Sequence, residues 1–435
     1  MRRTAVALLA LACAACGPPS VWRGLSPDHR TAFEVLSSDG RSCVRIGLAP
    51  RTCYDAVALQ HFTFSKDSRS VAFPVREGDE WLVVHDGRPG PAAQAIGAIA
   101  LSTDGARLAY AALRDGAWHV VLNGAYGEPF DAVFSGSLTF DPSGRRVAFA
   151  AERDGRAVAV IDGRAGPGHD GIGQLTFSPD GWHVAYVARD GVTARLVVDG
   201  TPGAEHDAIS EFRFAPSGSA TAYIARDGEG WFMIHGDTRV GPYATARALA
   251  YAAGGDITFV AGDGATERVV VNGRPGPAFH SMEAPAFARS GVAWGYIGHD
   301  STMSTVILNG EVLDAREWAS DLVIAPDGSR YAYVARRDGA ASVVHDRGEA
   351  SFDLVVDRTL VFTRGGSWAC LVGDGKRQKL YVVVEDHLTR REFDWIRFAQ
   401  VVQGQAAGAT PPDLQTEILR SWVAAEAELL PTRRP

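Results

Sequence analysis

An all-β fold built from about ten repeats of four strands is predicted by three features of this chain. A glycine-bearing turn recurs at a nearly fixed interval, short alternating segments separate turn dipeptides, and no convincing amphipathic helix lies between Leu25 and Phe398. The turn is clearest as Ser178-Pro179-Asp180-Gly181. Its fourth position falls at His29, Ser68, Gly105, Gly144, Gly181, Gly218, Gly255, Gly291, Gly328 and Gly366, so successive copies lie 36 to 39 residues apart. A period in that range is the mark of a repeat architecture.

One copy, Leu175 to Ile209, shows how the residues make strands. Leu175-Thr176-Phe177 alternates apolar and polar, the strand period. Pro179 presets φ and Gly181 tolerates the left-handed region, so a tight turn follows. His183 to Ala188 reads as a second strand, closed by Asp190-Gly191, and Arg195 to Val198 as a third, closed by Asp199-Gly200. A fourth strand is expected through His206-Asp207-Ala208-Ile209. The second turn recurs as Asp115-Gly116, Asp154-Gly155, Asp227-Gly228, Asp263-Gly264 and Asp338-Gly339. The third recurs as Asp86-Gly87, Asn123-Gly124, Asp162-Gly163, Asn272-Gly273 and Asn309-Gly310. Such dipeptides between alternating strands signal hairpins. Four short strands per copy is the content of one propeller blade. Such a sheet buries both faces only when stacked on neighbours. Residues 25–402 are therefore predicted to form a β-propeller, as one large ring or two rings in tandem.

The copy from Leu175 to Asp199, with its Phe-Ser-Pro-Asp-Gly turn, Val-Ala-Tyr strand and Asp-Gly exit, resembles the WD40-like repeat of TolB-type β-propellers. Copies from Phe62 to Phe214 match best, and those at Ala248 to Met282 and Ala284 to Asp314 lack the Pro-Asp pair. TolB itself carries an α/β domain ahead of its propeller; only a few residues separate Cys16 from the first repeat here, so the resemblance is expected to lie in the repeat type alone. By analogy, the resemblance implies binding of envelope proteins through exposed faces.

Residues 1–16 read as a targeting segment: Arg2 and Arg3, an apolar run from Ala5 to Ala12 too short to span a bilayer, then small residues leading to Cys16. This pattern resembles a bacterial lipoprotein signal, which implies lipidation of Cys16, with Cys13 as the alternate. The expected location is the periplasm, anchored by lipid to the outer membrane, with plain secretion as the alternative. Residues 17–24 read as a short tether. Export permits disulfides, and Cys43 and Cys53 flank an apparent hairpin, so they are a candidate pair. Cys370, in an apolar stretch, is expected to be buried and inert. Residues 403–412 read as a linker. An amphipathic helix is expected over 413–430, capped by Asp413, with Leu414, Ile418, Trp422, Ala425 and Leu429 as its apolar stripe.

A net charge of -8 without a basic stripe argues against nucleic acid as a partner. The twelve histidines show no metal spacing and no Gly-x-Ser-x-Gly elbow occurs, so neither a catalytic residue, a metal nor a cofactor is assigned. An acidic position recurs with the repeat at Asp55, Asp131, Asp170, Asp207, Asp314, Asp353 and Asp394, with Gln94, Ala244 and His280 in other copies. Recurrence in register points to a structural task, accepting turn or strand N–H bonds, in preference to catalysis. The expectation is a non-catalytic interaction scaffold, with Trp81, Trp118, Trp182 and Trp231 as candidate contact aromatics. The alternative is a small-molecule or carbohydrate binder or hydrolase working at one mouth of the propeller channel.

Overall fold

The computed structural model describes residues 20–394 except 27–30, 39, 253, 338, 364, 375–378 and 386. The lipidation site Cys16, the linker 403–412 and the helix expected over 413–430 lie outside the described residues. The described residues form ten antiparallel sheets, each running through its strands in chain order. In four of them the first strand is broken into two short pieces, such as Ala132–Val133 and Thr139–Phe140. Consecutive four-stranded meanders packed face to face make this an all-β protein of the β-propeller class. The first strand of the first sheet is Ser20–Leu25, so residues 20–24, read from sequence as tether, are strand.

Two compact units divide the chain. The first holds sheets one to four and the opening two strands of the fifth; the second holds the closing two strands of the fifth and sheets six to ten. Within each unit the core lies between adjacent sheets. In the first unit, Ala109 and Val120 of the third sheet pack with Val147, Phe149 and Val158 of the fourth. In the second, Val334 and Val343 of the ninth pack with Leu360, Trp368 and Cys370 of the tenth. The first five residues of the second strand are buried in several sheets, as in Val71–Val75 and Val147–Ala151.

The turn chemistry explains the repeated residues. Both central residues of the third turn have positive φ, for example Asn123 at 49° and Gly124 at 86°, the geometry that joins two strands without splaying them. Asn and Asp tolerate that conformation, and here they have a second task. The Asn123 side-chain oxygen accepts the N–H of Leu108, at 3.0 Å. Asp86, Asp162, Asp199, Asn272 and Asn309 do the same for Val71, Val147, Val184, Ile257 and Trp294. Each caps the first residue of its own second strand.

Glycine in the first turn answers to a neighbour. A Cβ on Gly105, at φ +70°, would stand 2.3 Å from Cβ of Ser70 in the preceding sheet. On Gly328 it would stand 2.5 Å from Val292 and 3.3 Å from Ala293. The first turns of successive sheets thus nest against each other within a unit, and the Thr103 hydroxyl donates to the Pro142 carbonyl at 3.2 Å in the same belt.

The fourth strand corrects the sequence reading. In the fifth sheet it is Thr201–His206, starting directly after Asp199-Gly200, and Ala208–Phe214 is the first strand of the sixth sheet. Pro202 and Gly203 hid it, since both are depleted in strands. Asp314 is also displaced from its expected place. It lies inside the strand Glu311–Arg316, and Glu317 occupies the junction, at the same spacing from Asn309-Gly310 as Asp207 from Asp199-Gly200; Asp314 falls three residues short of it.

Candidate interaction surface

Each sheet has two ends. The first and third turns lie at one, the proline-turn end. The second turn and the junction to the next sheet lie at the other, the junction end. Two of the recurring junction carboxylates serve the second turn. Asp55 accepts the N–H of Gly78 at 2.8 Å and Asp207 that of Gly228 at 2.7 Å, while Gln94 faces Gly116 at 3.5 Å. Asp170 is held by Arg156, and His280 pairs with Asp300 at 3.1 Å. The side chain of Asp394 lies outside the described residues. The displaced Asp314 is gripped by Arg316 and the Tyr333 hydroxyl; burial works against its charge, but those hydrogen bonds hold its carboxyl below the ordinary value.

The four tryptophans chosen from sequence divide between the two ends. Trp81, Trp118 and Trp231 share one register position in the third strand, near the junction end, and each is half-buried. Trp118 lies opposite Phe130, with its ring against Gly97; Trp231 lies opposite Tyr243, with the Arg226 guanidinium 5.9 Å from its ring. Trp81 bridges to Ala93. Trp182 follows a turn glycine at the proline-turn end of its sheet and is 77% exposed. Cys43 and Cys53 are directly opposed in adjoining strands of the first sheet and joined as a disulfide.

Exposed large apolar side chains concentrate in the second unit. Of nine among the described residues, six fall between Val292 and Leu354: Val292, Met303, Val312, Leu313, Trp318 and Leu354. Met303, Trp318 and Leu354 stand at the junction ends of the eighth, ninth and tenth sheets. Trp318 is 46% exposed and stacks on His299, with ring centroids 4.9 Å apart and planes at 20°. His299 is fixed from the other side, its Nδ1 2.9 Å from the Ser304 hydroxyl and its Nε2 4.0 Å from Glu283. Glu283 is itself anchored, accepting the N–H of Asp321 at 3.0 Å. Burial lowers the His299 pKa from its ordinary value, which favours the neutral ring as the platform for the indole at neutral pH. The result is a rigid aromatic pair with a wet edge, a form suited to anchoring a partner.

Sequence reasoning missed Trp318, although the signal was present. The first strands of sheets two to eight open on Ala56, Ala95, Ala132, Gly171, Ala208, Thr245 and Ser281, all small, and that of the tenth opens on Leu354. A tryptophan there breaks the repeat.

The first unit holds a different irregular feature. A cavity of about 280 Å³ opens beside the first and second sheets, walled by Tyr54, Phe64 and Phe73 and rimmed by Arg69 and Asp86. Behind it Phe33, Phe62 and Phe73 stack, with centroid spacings of 4.6 and 4.7 Å.

Comparison with protein-family models and with curated proteins finds no match. Among solved structures, a eukaryotic initiation factor is similar over 75% of this chain and 98% of its own, at 12% identity and a TM-score of 0.41. The Dos1 propeller matches over 69% of this chain and 92% of its own, at 13% identity and a TM-score of 0.32. TolB from Acinetobacter baumannii matches over 71% and 77%, at 10% identity and a TM-score of 0.26. All three scores fall below 0.5, and the fold assignment rests on the strand topology given above.

Proposed function

We propose that this chain is a non-catalytic, lipid-anchored periplasmic β-propeller that binds protein partners of the cell envelope. The observation that carries the reading is Trp318. It is a large aromatic held half-exposed on His299 at a position that sheets two to eight fill with small residues and the tenth with Leu354, and Met303 and Leu354 are exposed at the same end of neighbouring sheets. Aromatic side chains held rigid at low entropic cost dominate protein interfaces. Anchoring through Cys16 would hold the chain at the outer membrane.

The test is crosslinked affinity capture from the native envelope with the wild type and Trp318→Ala. A partner recovered with the wild type and lost with Trp318→Ala supports the reading; equal recovery from both sinks it. Labelled fatty acid incorporated by the wild type and lost in Cys16→Ser tests the anchor.

The aromatic cavity beside the first two sheets favours a second reading, a small apolar ligand. Its test is a thermal-shift screen of small aromatic compounds, in which Phe64→Ala must abolish any hit.

A further inference from the structure

The buried clusters of the described residues join consecutive sheets. Val35 of the first meets Val71 and Phe73 of the second, and Ala72 and Val83 of the second meet Tyr110 of the third. The same holds between the third and fourth, between the fourth and fifth, and from the sixth through to the tenth. His206 of the fifth meets Tyr223 of the sixth, with ring centroids 5.6 Å apart. Sheets two to nine thus have a sheet against each face.

The tenth sheet departs from that pattern. Its strand Trp368–Asp374 turns Trp368, Cys370 and Val372 to the ninth sheet. The alternate residues Ala369 and Leu371 form a separate cluster with Leu380 and Val382 of Lys379–Val384, all four from the tenth sheet. Ala369, Leu371 and Leu380 are 0% exposed and Val382 is 1%. A sheet face is buried so completely only under another layer. The burial is complete within the single chain, so that layer belongs to the chain itself. The first sheet is unsuited to supply it. Val35 and Val44 face the second sheet, while Ala32, Arg41, Arg45 and Cys53 lie on the outward face and are exposed.

We infer that the layer is the segment 413–430, lying as an amphipathic helix across the outer face of the tenth sheet. The chain leaves that sheet at Asp394, the end of its outer strand, and continues to residue 435. Residues 395–412 span about 60 Å when extended, so the segment can reach any part of the face. As a helix it is about 27 Å long, against about 23 Å for Trp368–Asp374, so one passage covers the strand. Its stripe of Leu414, Ile418, Trp422, Ala425 and Leu429 is apolar like the face, and Glu417, Arg420 and Glu428 fall outside the stripe. The last sheet of a repeat array lacks a following copy to bury its outer face, and a terminal cap with a polar outside answers that need. The segment is therefore a cap on the body and not an arm for a partner. The inference stands independently of the surface at Trp318.

The experiment places a photo-crosslinking amino acid at Trp422 of the full chain and, as a control on the opposite side of the helix, at Arg420. An equal mixture of isotopically light and heavy copies is irradiated at low concentration, and the linked peptides are read by mass spectrometry. Position 422 should link within its own copy to Trp368–Asp374 and Lys379–Val384, several-fold more than position 420 does. Links to another sheet, links only between light and heavy copies, or none to the tenth sheet overturn the inference. As a second measurement, Trp422→Asp should speed hydrogen exchange at the amides of Lys379–Val384 by about tenfold or more and leave those of Val71–Val75 in the second sheet unchanged. Exchange unchanged in Lys379–Val384, or quickened equally in both strands, also overturns it.

Discussion

The asparagine of a third turn performs two separable tasks, and substitution at Asn123 can separate them. Asn123 sits at φ 49° and accepts the N–H of Leu108, a residue 5% exposed. Asn123→Gly keeps the backbone conformation and orphans that buried donor, which costs about 1–3 kcal/mol. Asn123→Ala orphans the donor and also forces a residue with no polar side chain into the left-handed region, adding roughly 1 kcal/mol. Asn123→Asp should cost less than about 0.5 kcal/mol, because Asp86, Asp162 and Asp199 make the same bond in their own sheets. The expected order of stability is therefore wild type and Asp together, then Gly, then Ala. Thermal unfolding gives the order, and hydrogen exchange at the Leu108 amide locates the loss. An Asp variant as damaged as Ala, or an Ala variant indistinguishable from wild type, would refute the capping argument.

Four further outcomes follow from the geometry. Gly328→Ala should cost about 2–4 kcal/mol, overpacking added to a positive φ, whereas Gly116→Ala, with nothing within 4 Å of its added Cβ, should cost only about 1; paired melts check the difference. Arg330, 12% exposed, holds Asp346 at 2.9 Å, Glu385 at 2.6 Å and the Gly366 carbonyl at 2.9 Å, so Arg330→Met should destabilise the ninth and tenth sheets by about 2–4 kcal/mol in denaturant titration. The carboxyls of Asp67, Asp104 and Asp180 are held below the ordinary value by the hydroxyls of Ser65, Ser102 and Ser178, and hydrogen bonds from the Thr266 and Ala265 amides push Asp263 down to about 2. Their depressed folded values contribute stability that is full above the unfolded value, near pH 4, and is lost as pH falls through the folded ones; the melting temperature should drop between about pH 4 and 2, and less steeply in Asp104→Asn. Burial drives the Cys370 thiol far above its ordinary value, so a thiol reagent should label it only after unfolding, as peptide mass spectrometry will show.

The repeat was legible because its turns are written in residues with special backbone needs. Gly105 and Gly328 had to be glycine for φ and for contact with the preceding turn, and that need prints a period on the chain. The fourth strands were least legible, since the proline and glycine that they carry are the residues that argue against a strand. Asp314 misled because it is an aspartate near the expected spacing; counting seven residues on from the turn glycine Gly310, as from Gly163 to Asp170 and Gly200 to Asp207, places Glu317 at the junction. The surface aromatics were chosen by type, and three of the four sit half-buried at a repeated register. Trp318 could have been found, together with Leu354, by asking which large residues stand where most corresponding copies have a small one. The aromatic cavity was hidden because it needs Tyr54, Phe64 and Phe73, from two sheets, to meet in space.

A photo-crosslinking amino acid placed at Trp318 and, separately, at Trp182 in the living envelope tests the partner surface most directly. The account predicts a discrete protein adduct from position 318, with little from position 182 despite its greater exposure. Adducts from 182 with none from 318, or the same adducts at both, would contradict it.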